Sequence, residues 1–181
     1  MFISLIIFFF LYSYLNASII YVDDDAAGLN NGTSWANAYT SFQSALDVAV
    51  SGDEIWIAAG TYKPSFDYGV GGGIRDYHFR MINGVTIYGG FAGTESAVSE
   101  RTDFSRGGDN ETIFSGDVSG DDGANFTNRT DNNYHLFYHP PGYGLDNTAA
   151  LSESRLQVAI VESPILMTAV QEFIISIIHL P

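Results

Sequence analysis

The amino-acid sequence predicts an all-β chain and favours a stacked β-solenoid over a β-sandwich. Runs of four or five β-branched and aromatic residues alternate with Gly/Asn/Asp turns, and only one segment has clear helical periodicity. Turn spacing alone does not separate the two architectures. The solenoid is favoured because Val85-Thr-Ile-Tyr-Gly-Gly and Thr112-Ile-Phe-Ser-Gly-Asp repeat one pattern 26 to 28 residues apart. A solenoid coil needs a stretch of that order.

The first residues are expected to direct export. Residues 3–15 form an uncharged apolar and aromatic run, shorter than the roughly 20 residues that span a bilayer as a helix. Ala17 and Ser18 follow as small residues for cleavage, so the pattern predicts a signal peptide over residues 1–18, although no Lys or Arg precedes the run. An uncleaved anchor and a buried first strand are the other interpretations. Because the chain has no Cys, we expect a bacterial protein that is secreted or held at the cell surface.

The remaining elements follow in order along the chain. The strand candidates are rich in Ile, Val, Thr, Phe and Tyr and are closed by Gly, Asn, Asp or Pro. They are Ile19–Val22, Glu54–Ala58, His78–Ile82, Val85–Tyr88, Glu111–Phe114, Tyr134–Tyr138 and a strand that begins at Thr148. A helix is predicted over residues 41–50, because Phe42, Ala45 and Leu46 fall on one apolar face and Gly52 ends the pattern. Placed there, the helix covers one end of the solenoid.

Several phrases of the sequence occur in a specific order. Ile20-Tyr-Val-Asp-Asp is followed by Gly32-Thr-Ser-Trp, Phe42-Gln-Ser-Ala-Leu and Gly52-Asp-Glu-Ile-Trp-Ile-Ala-Ala-Gly-Thr-Tyr. This order resembles the opening of bacterial secreted right-handed parallel β-helix proteins of the pectin-lyase-like superfamily. The resemblance covers about residues 20–151 and implies that residues 19–152 form an N-terminal cap and the first coils. It implies no single activity, because this scaffold carries lyases, hydrolases and adhesins alike.

The composition changes at Glu153. Residues 153–181 contain no Gly, Asn, Asp or Tyr, whereas the preceding residues contain all 19 Gly and all 11 Tyr. We therefore expect this atypical apolar tail to come from a shifted or truncated reading frame, which makes the chain the N-terminal part of a longer solenoid. A genuine amphipathic tail and a short C-terminal anchor are the alternatives. The tail is too short to bury its own core, and no stretch of it is long and clean enough to span a bilayer.

The charge balance restricts the partners. Seven Lys and Arg stand against 21 Asp and Glu, which gives a net charge of −14. So few basic residues cannot build a patch for nucleic acid, and an acidic chain is repelled by anionic membrane surfaces. Polyanionic substrates are disfavoured unless Ca²⁺ bridges them. The expected partner is an extracellular glycan or another cell-surface ligand, and the sequence makes no prediction of oligomeric state.

One metal site is a candidate. Asp117, Asp121 and Asp122 lie in a loop, residues 115–123, in which Asp alternates with Gly and Ser. Such a loop can bring carboxylate oxygens together for Ca²⁺. It lacks the closing Glu of an EF-hand, and a polar turn without a metal is the alternative. No other cofactor is expected. His135 and His139 are not expected to share a metal, because four positions on a strand separate them by roughly 13 Å.

Other residues suggest binding more than catalysis. Arg75 and Arg80 lie near a predicted coil without the clustered Asp residues that a Ca²⁺-dependent lyase needs, and no carboxylate pair of the kind used by glycosidases stands out. Tyrosines are abundant, and exposed rings can stack on sugars, whereas buried ones belong to the core. They include Tyr39, Tyr62, Tyr68, Tyr77, Tyr88, Tyr134, Tyr138 and Tyr143. The favoured function is therefore adhesion or carbohydrate binding. A polysaccharide lyase or hydrolase and a non-functional fragment are the alternatives.

Overall fold

The computed structural model describes residues 17–69, 71–152 and 155–157. The predicted signal peptide and the predicted tail lie almost entirely outside these residues. The strands within them are β1 (Ile19–Val22), β2 (Glu54–Ala58), β3 (Gly60–Tyr62), β4 (Thr86–Phe91), β5 (Thr112–Ser115), β6 (Ala150–Ser152) and β7 (Arg155–Gln157). The helix α1 spans Phe42–Val48. Across the described ranges, no helix is long and apolar enough to cross a membrane.

The strands form two parallel sheets, and the chain alternates between them. One sheet has the order β1-β2-β4-β6 and the other the order β3-β5-β7. Every pairing between these neighbouring strands is parallel. After β2 the chain moves to the second sheet at β3, returns at β4 and repeats this path through β5, β6 and β7. The prediction of parallel strands with one helix is thus confirmed for the described part of the chain.

A tight corner joins β2 to β3. Only Ala59 separates the two strands, and Gly60 adopts a φ of 152°. A Cβ on Gly60 would lie 2.5 Å from Oδ1 of Asp24, so both the backbone conformation and the close approach require glycine here. The strand β3 is not among the predicted strands, because a three-residue strand directly after a corner has too little sequence pattern to detect.

Side chains stack in register across the first sheet. Ile20 pairs with Ile55, Ile55 with Ile87, and Ile87 with Leu151. Ile55 and Ile87 are fully buried, because alternate residues of each strand face the space between the sheets. The next residue of each strand faces the other way and forms a second row, in which Tyr21, Trp56 and Tyr88 follow one another.

Helix α1 covers the core with the predicted apolar face. Phe42, Ala45 and Leu46 are buried, and the Phe42 ring centroid lies 4.8 Å from those of Phe79 and Phe114. The helix ends at Val48, not at residue 50 as predicted. It ends early because the amide of Val50 donates to the Asp53 carboxylate at 2.9 Å and so leaves the helical pattern.

The free edge of β1 is closed by the loop that precedes α1. Val22 forms a parallel bridge with Tyr39, and the amide of Asp23 donates to the Tyr39 carbonyl at 2.9 Å. On the same edge, the amide of Tyr21 donates to the Gly32 carbonyl at 3.0 Å. This loop therefore occupies hydrogen-bonding groups that a bare edge strand would expose to other chains.

Two predicted strands are replaced by irregular backbone. The prediction was wrong for 78–82 and 134–138, which are not strands, although they run side by side with one parallel bridge between Phe79 and Phe137. The ladder does not continue because the amide of His78 donates to the Phe66 carbonyl at 3.0 Å and the amide of Met81 donates to Nε2 of His139 at 2.8 Å. We call the two segments 75–82 and 134–143 together the strip.

Candidate functional site

The acidic loop that follows β5 is organised by Asp117. This residue is 7% exposed. Its Oδ1 accepts hydrogen bonds from the amides of Gly120 (2.7 Å) and Asp121 (3.2 Å), and its Oδ2 accepts one from the amide of Asp122 (3.2 Å). A carboxylate that accepts hydrogen bonds from several following backbone amides stabilises a tight turn. The Asp/Gly/Ser pattern of the loop is explained by this turn, with or without a metal.

Two of the three predicted metal ligands come together, with a third carboxylate from further along the chain. Ligand oxygens of Asp117, Asp121 and Asp131 all lie within 4.8 Å of one another. Asp122 has other partners: its Oδ2 lies 4.0 Å from Nε of Arg129, and both its oxygens accept from Nδ2 of Asn132 at 3.1 Å. Oxygen ligands of this kind suit Ca²⁺, so the metal site stays a prediction, with Asp131 in the place of Asp122.

Asp131 could not be identified from the sequence. The amide of Ser119 donates to its Oδ2 at 3.0 Å and so ties it to the loop. A hydrogen bond from the Ser119 side chain lowers the pKa of Asp131, and the positive charge of Arg75 acts in the same direction. Nothing in the local pattern around residue 131 signals this contact, because it depends on how the chain returns after residue 123.

A second cluster lies on the strip, around Arg80. The guanidinium carbon of Arg80 lies 4.1 Å from the ring centroid of Tyr68 and 5.5 Å from that of Tyr143, within the range of cation–π attraction. Nε of Arg80 donates to Nε2 of His78 at 3.2 Å. Among the described residues, no carboxylate lies within 4.0 Å of this guanidinium, and no protein group accepts a hydrogen bond from its two Nη atoms. These donors are therefore available to a ligand.

His78 holds Arg80 as a neutral imidazole. It is 1% exposed, and Nδ1 lies 2.8 Å from the carbonyl of Asp76. Because Nε2 accepts from Arg80, Nδ1 must carry the proton and donate to that carbonyl. Burial lowers the pKa of His78, and the charge of Arg80 lowers it further. The neutral form is thus favoured by both the hydrogen bonds and the surroundings.

Tyr68 is held in an unusual backbone conformation. Its φ is 51°, a left-handed value that is rare for a bulky residue and typical of functional sites. Its hydroxyl accepts a hydrogen bond from Nε2 of Gln43 on α1. Gln43 is 5% exposed, and within the described residues its Oε1 has no hydrogen-bond partner. The capping helix therefore fixes the ring on which Arg80 lies.

The other histidines of the strip have separate partners. Nε2 of His139 accepts from the amide of Met81, and the His139 ring centroid lies 5.3 Å from that of Tyr143. His135 stacks on Tyr138, with centroids 4.8 Å apart. Burial lowers the pKa of both histidines. The two imidazoles thus contact different side chains.

The tyrosines divide between core and surface. Tyr62 is 3% exposed, and Tyr39 packs against the core cluster. Tyr134 and Tyr143 are exposed, while Tyr68 and Tyr138 are half-buried. All four of the last group lie on the strip or directly against it. Tyr77 of the strip and Tyr88 of β4 are also half-buried, so most of the named tyrosines outside the core lie on the strip or directly against it.

The three adjacent aspartates after β1 form a turn. Oδ1 of Asp23 accepts from the amide of Asp25 at 3.1 Å. Burial raises the pKa of Asp24, and the neighbouring charges of Asp25 and Asp23 add to the effect. Like-charged neighbours that are not gathered around a common point do not make a cation site.

Comparisons of the chain with family models, with curated proteins and with solved structures found no match. The geometry of the two clusters is therefore the basis for assigning a function.

Proposed function

We propose that the chain is an exported, N-terminally capped right-handed parallel β-helix that binds carbohydrate at the bacterial cell exterior. Three features support the β-helix: alternation of the chain between two parallel sheets, the Ile20–Ile55–Ile87 row in register, and the closed edge of β1. Stacked coils bury one continuous core in this way. The apolar run of residues 3–15 supports export.

The observation that carries the binding function is the arrangement of Arg80 over Tyr68. A sugar ring has an apolar face of C–H groups and a rim of hydroxyls. Tyr143 is 38% exposed beside Arg80, and so offers an aromatic surface for the apolar face. The Nη atoms of Arg80 can donate to hydroxyl oxygens on the rim. Convergence of an apolar surface and a few fixed polar groups is what small-ligand sites share.

The engaged state of His78 and His139 favours binding over turnover. Nε2 of His78 accepts from Arg80, and Nε2 of His139 accepts from the amide of Met81. A general base needs a free lone pair within reach of the proton that it removes. Adhesion or glycan capture is thus the activity that this cluster supports best.

The experiment is a glycan-binding measurement on the full chain. Immobilised neutral and acidic glycans identify the ligand, and calorimetry gives the affinity of wild type and of Arg80→Gln. We expect a loss of about tenfold or more for Arg80→Gln, because charged hydrogen bonds contribute about 1.5–3 kcal/mol. Arg106→Gln is the matched control, since Arg106 is exposed and lies in the loop between β4 and β5.

Two outcomes would contradict the proposal. Unchanged affinity in Arg80→Gln would mean that glycans bind elsewhere. Release of products from pectin or another polysaccharide by the wild-type chain would instead favour the lyase or hydrolase.

A further inference from the structure

A second arginine–tyrosine pair lies on the strip. The guanidinium carbon of Arg75 is 4.3 Å from the ring centroid of Tyr134, and the ring is 42% exposed. Nε of Arg75 donates to the carbonyl of Asn132 at 2.9 Å, and the amide of Tyr134 donates to the carbonyl of Arg75 at 2.8 Å. The pair is therefore held by backbone contacts at both of its residues.

The two pairs share the same chemistry. As for Arg80, no carboxylate among the described residues lies within 4.0 Å of the Arg75 guanidinium, and Nε is its only nitrogen with a protein acceptor there. Each pair thus offers one tyrosine ring and free guanidinium donors. Arg101 has aromatic neighbours too, but its Nε and Nη1 donate to main-chain carbonyls.

A row of aromatic rings runs from the Arg80–Tyr68 pair to His135, the residue that follows Tyr134 in the sequence. The centroids of His78 and Tyr138 lie 5.2 Å apart, those of Tyr138 and His135 lie 4.8 Å apart, and those of Tyr68 and His78 lie 5.3 Å apart. Arg75 and Arg80 are five positions apart on one segment, which places their Cα atoms at most about 18 Å from each other. One extended ligand can therefore reach both pairs.

We infer that Arg75 and Tyr134 form a second carbohydrate subsite, so that the strip binds a chain of neutral sugars along its length. This inference rests on the proposed function. Neutral sugars are favoured because the chain carries a net charge of −14, which repels a polyanion. In addition, Asp131 lies close enough to Arg75 for the two charges to interact, and its negative charge offsets the attraction of Arg75 for an anionic sugar.

A ligand that contacts both pairs gains from the second contact without a second loss of translational freedom. Affinity is therefore expected to rise with chain length until both subsites are filled, and then to level off. A single subsite would give nearly the same affinity at every length.

The experiment measures affinity against chain length. The probes are gluco-, manno- and galacto-oligosaccharides from monosaccharide to hexasaccharide, together with the matching galacturonate series, titrated into the full chain. For wild type we expect the longest neutral chains to bind about tenfold or more tightly than the shortest chain that binds. Tyr134→Ala and Arg75→Gln should remove this gain, so that affinity no longer rises with chain length. Arg80→Gln should lower the affinity at every length, and Arg106→Gln at none.

Each other outcome overturns a specific statement. If the length gain persists in folded Tyr134→Ala and Arg75→Gln, the second subsite is wrong while the proposed function stands. If the galacturonate series binds more tightly than the neutral series, the neutral ligand is wrong. If no series binds to wild type, both the subsite and the proposed function fail. Thermal unfolding of each variant shows whether it is folded, and Tyr134→Ala is expected to affect folding least because Tyr134 is 42% exposed.

Discussion

Two arginine–aromatic clusters on this molecule have similar residues and different surroundings. Arg101 lies 5.2 to 5.4 Å from the ring centroids of Tyr88, Phe91 and Phe104. Its Nε donates to the Val98 carbonyl at 2.9 Å and its Nη1 to the Gly89 carbonyl at 2.7 Å. The guanidinium therefore fastens the loop after β4 to the sheet.

One aromatic neighbour of Arg101 is also enclosed, whereas Tyr88 and Phe104 are half-buried. Phe91 is fully buried and stacks on Trp56 with centroids 4.7 Å apart and an interplanar angle of 12°. Arg80, by contrast, has one protein hydrogen bond among the described residues, to an imidazole, and its neighbour Tyr143 is exposed. The comparison teaches that aromatic contacts alone do not mark a binding site. What distinguishes Arg80 is that main-chain carbonyls do not occupy its donors.

The largest expected difference is in stability. Arg101→Gln should lower the free energy of unfolding by about 2–3 kcal/mol, because two main-chain carbonyls at partly buried positions lose their charged donor. Arg80→Gln should lower it by less, by about 1 kcal/mol, because only one acceptor among the described residues, Nε2 of His78, loses its donor. Urea denaturation of the full chain checks both values. Equal losses in the two variants would remove the distinction between the clusters.

A smaller effect is expected from pH, and the described histidines on which it depends all lie on the strip. Burial lowers the pKa values of His78, His135 and His139, so the unfolded chain binds more protons than the folded chain below about pH 6.5. Stability should therefore be constant above that pH and fall as the pH decreases through the folded pKa values. Thermal unfolding across this range tests the expectation.

The variant that isolates this pH effect is His139→Gln, which keeps an acceptor for the amide of Met81 and does not titrate. Its stability should depend less on pH than that of wild type. A pH profile identical to that of wild type would show that His139 does not contribute.

The smallest expected effect concerns Ca²⁺ at the acidic loop. Three carboxylates on a partly exposed turn should bind Ca²⁺ weakly, with a Kd on the order of 10⁻⁴–10⁻³ M, and raise the thermal midpoint by a few degrees at most. Asp131→Asn should abolish the rise. Asp122→Asn is the matched control and should retain it, since Asp122 faces Arg129 and Asn132. A midpoint that does not respond to Ca²⁺ or to its removal with EDTA would leave the loop as a polar turn only.

The local sequence pattern was sufficient to predict β1, β2, β4, β5 and α1. Their apolar residues alternate or recur at helical spacing, and burial follows that spacing directly. The pattern failed for 78–82 and 134–138, although their composition suits a strand. There the ladder is broken by the imidazole of His139 and by the Phe66 carbonyl, and both contacts depend on the tertiary arrangement.

The sites were less predictable than the fold for a related reason. Arg75 and Arg80 were noted in the sequence for their position near a coil, but their pairing with Tyr134 and Tyr68 depends on chain segments that are distant or irregular. The left-handed backbone conformation of Tyr68 could not be predicted from the sequence, because tyrosine normally avoids this conformation. Asp131 reaches the acidic loop across ten or more positions and is hidden for the same reason.

In the proposed β-helix, the in-register rows described above would make the energetics of unfolding nearly one-dimensional. β2 and β4 each have a paired strand on both sides, whereas β1 has one strand and a loop as neighbours. When each layer is stabilised mainly by the layers that it touches, opening proceeds layer by layer from the ends. The slowest amide hydrogen exchange is therefore expected at Ile55 and Ile87. Unfolding is expected to begin at the outer strands of the sheet and to reach these two residues last.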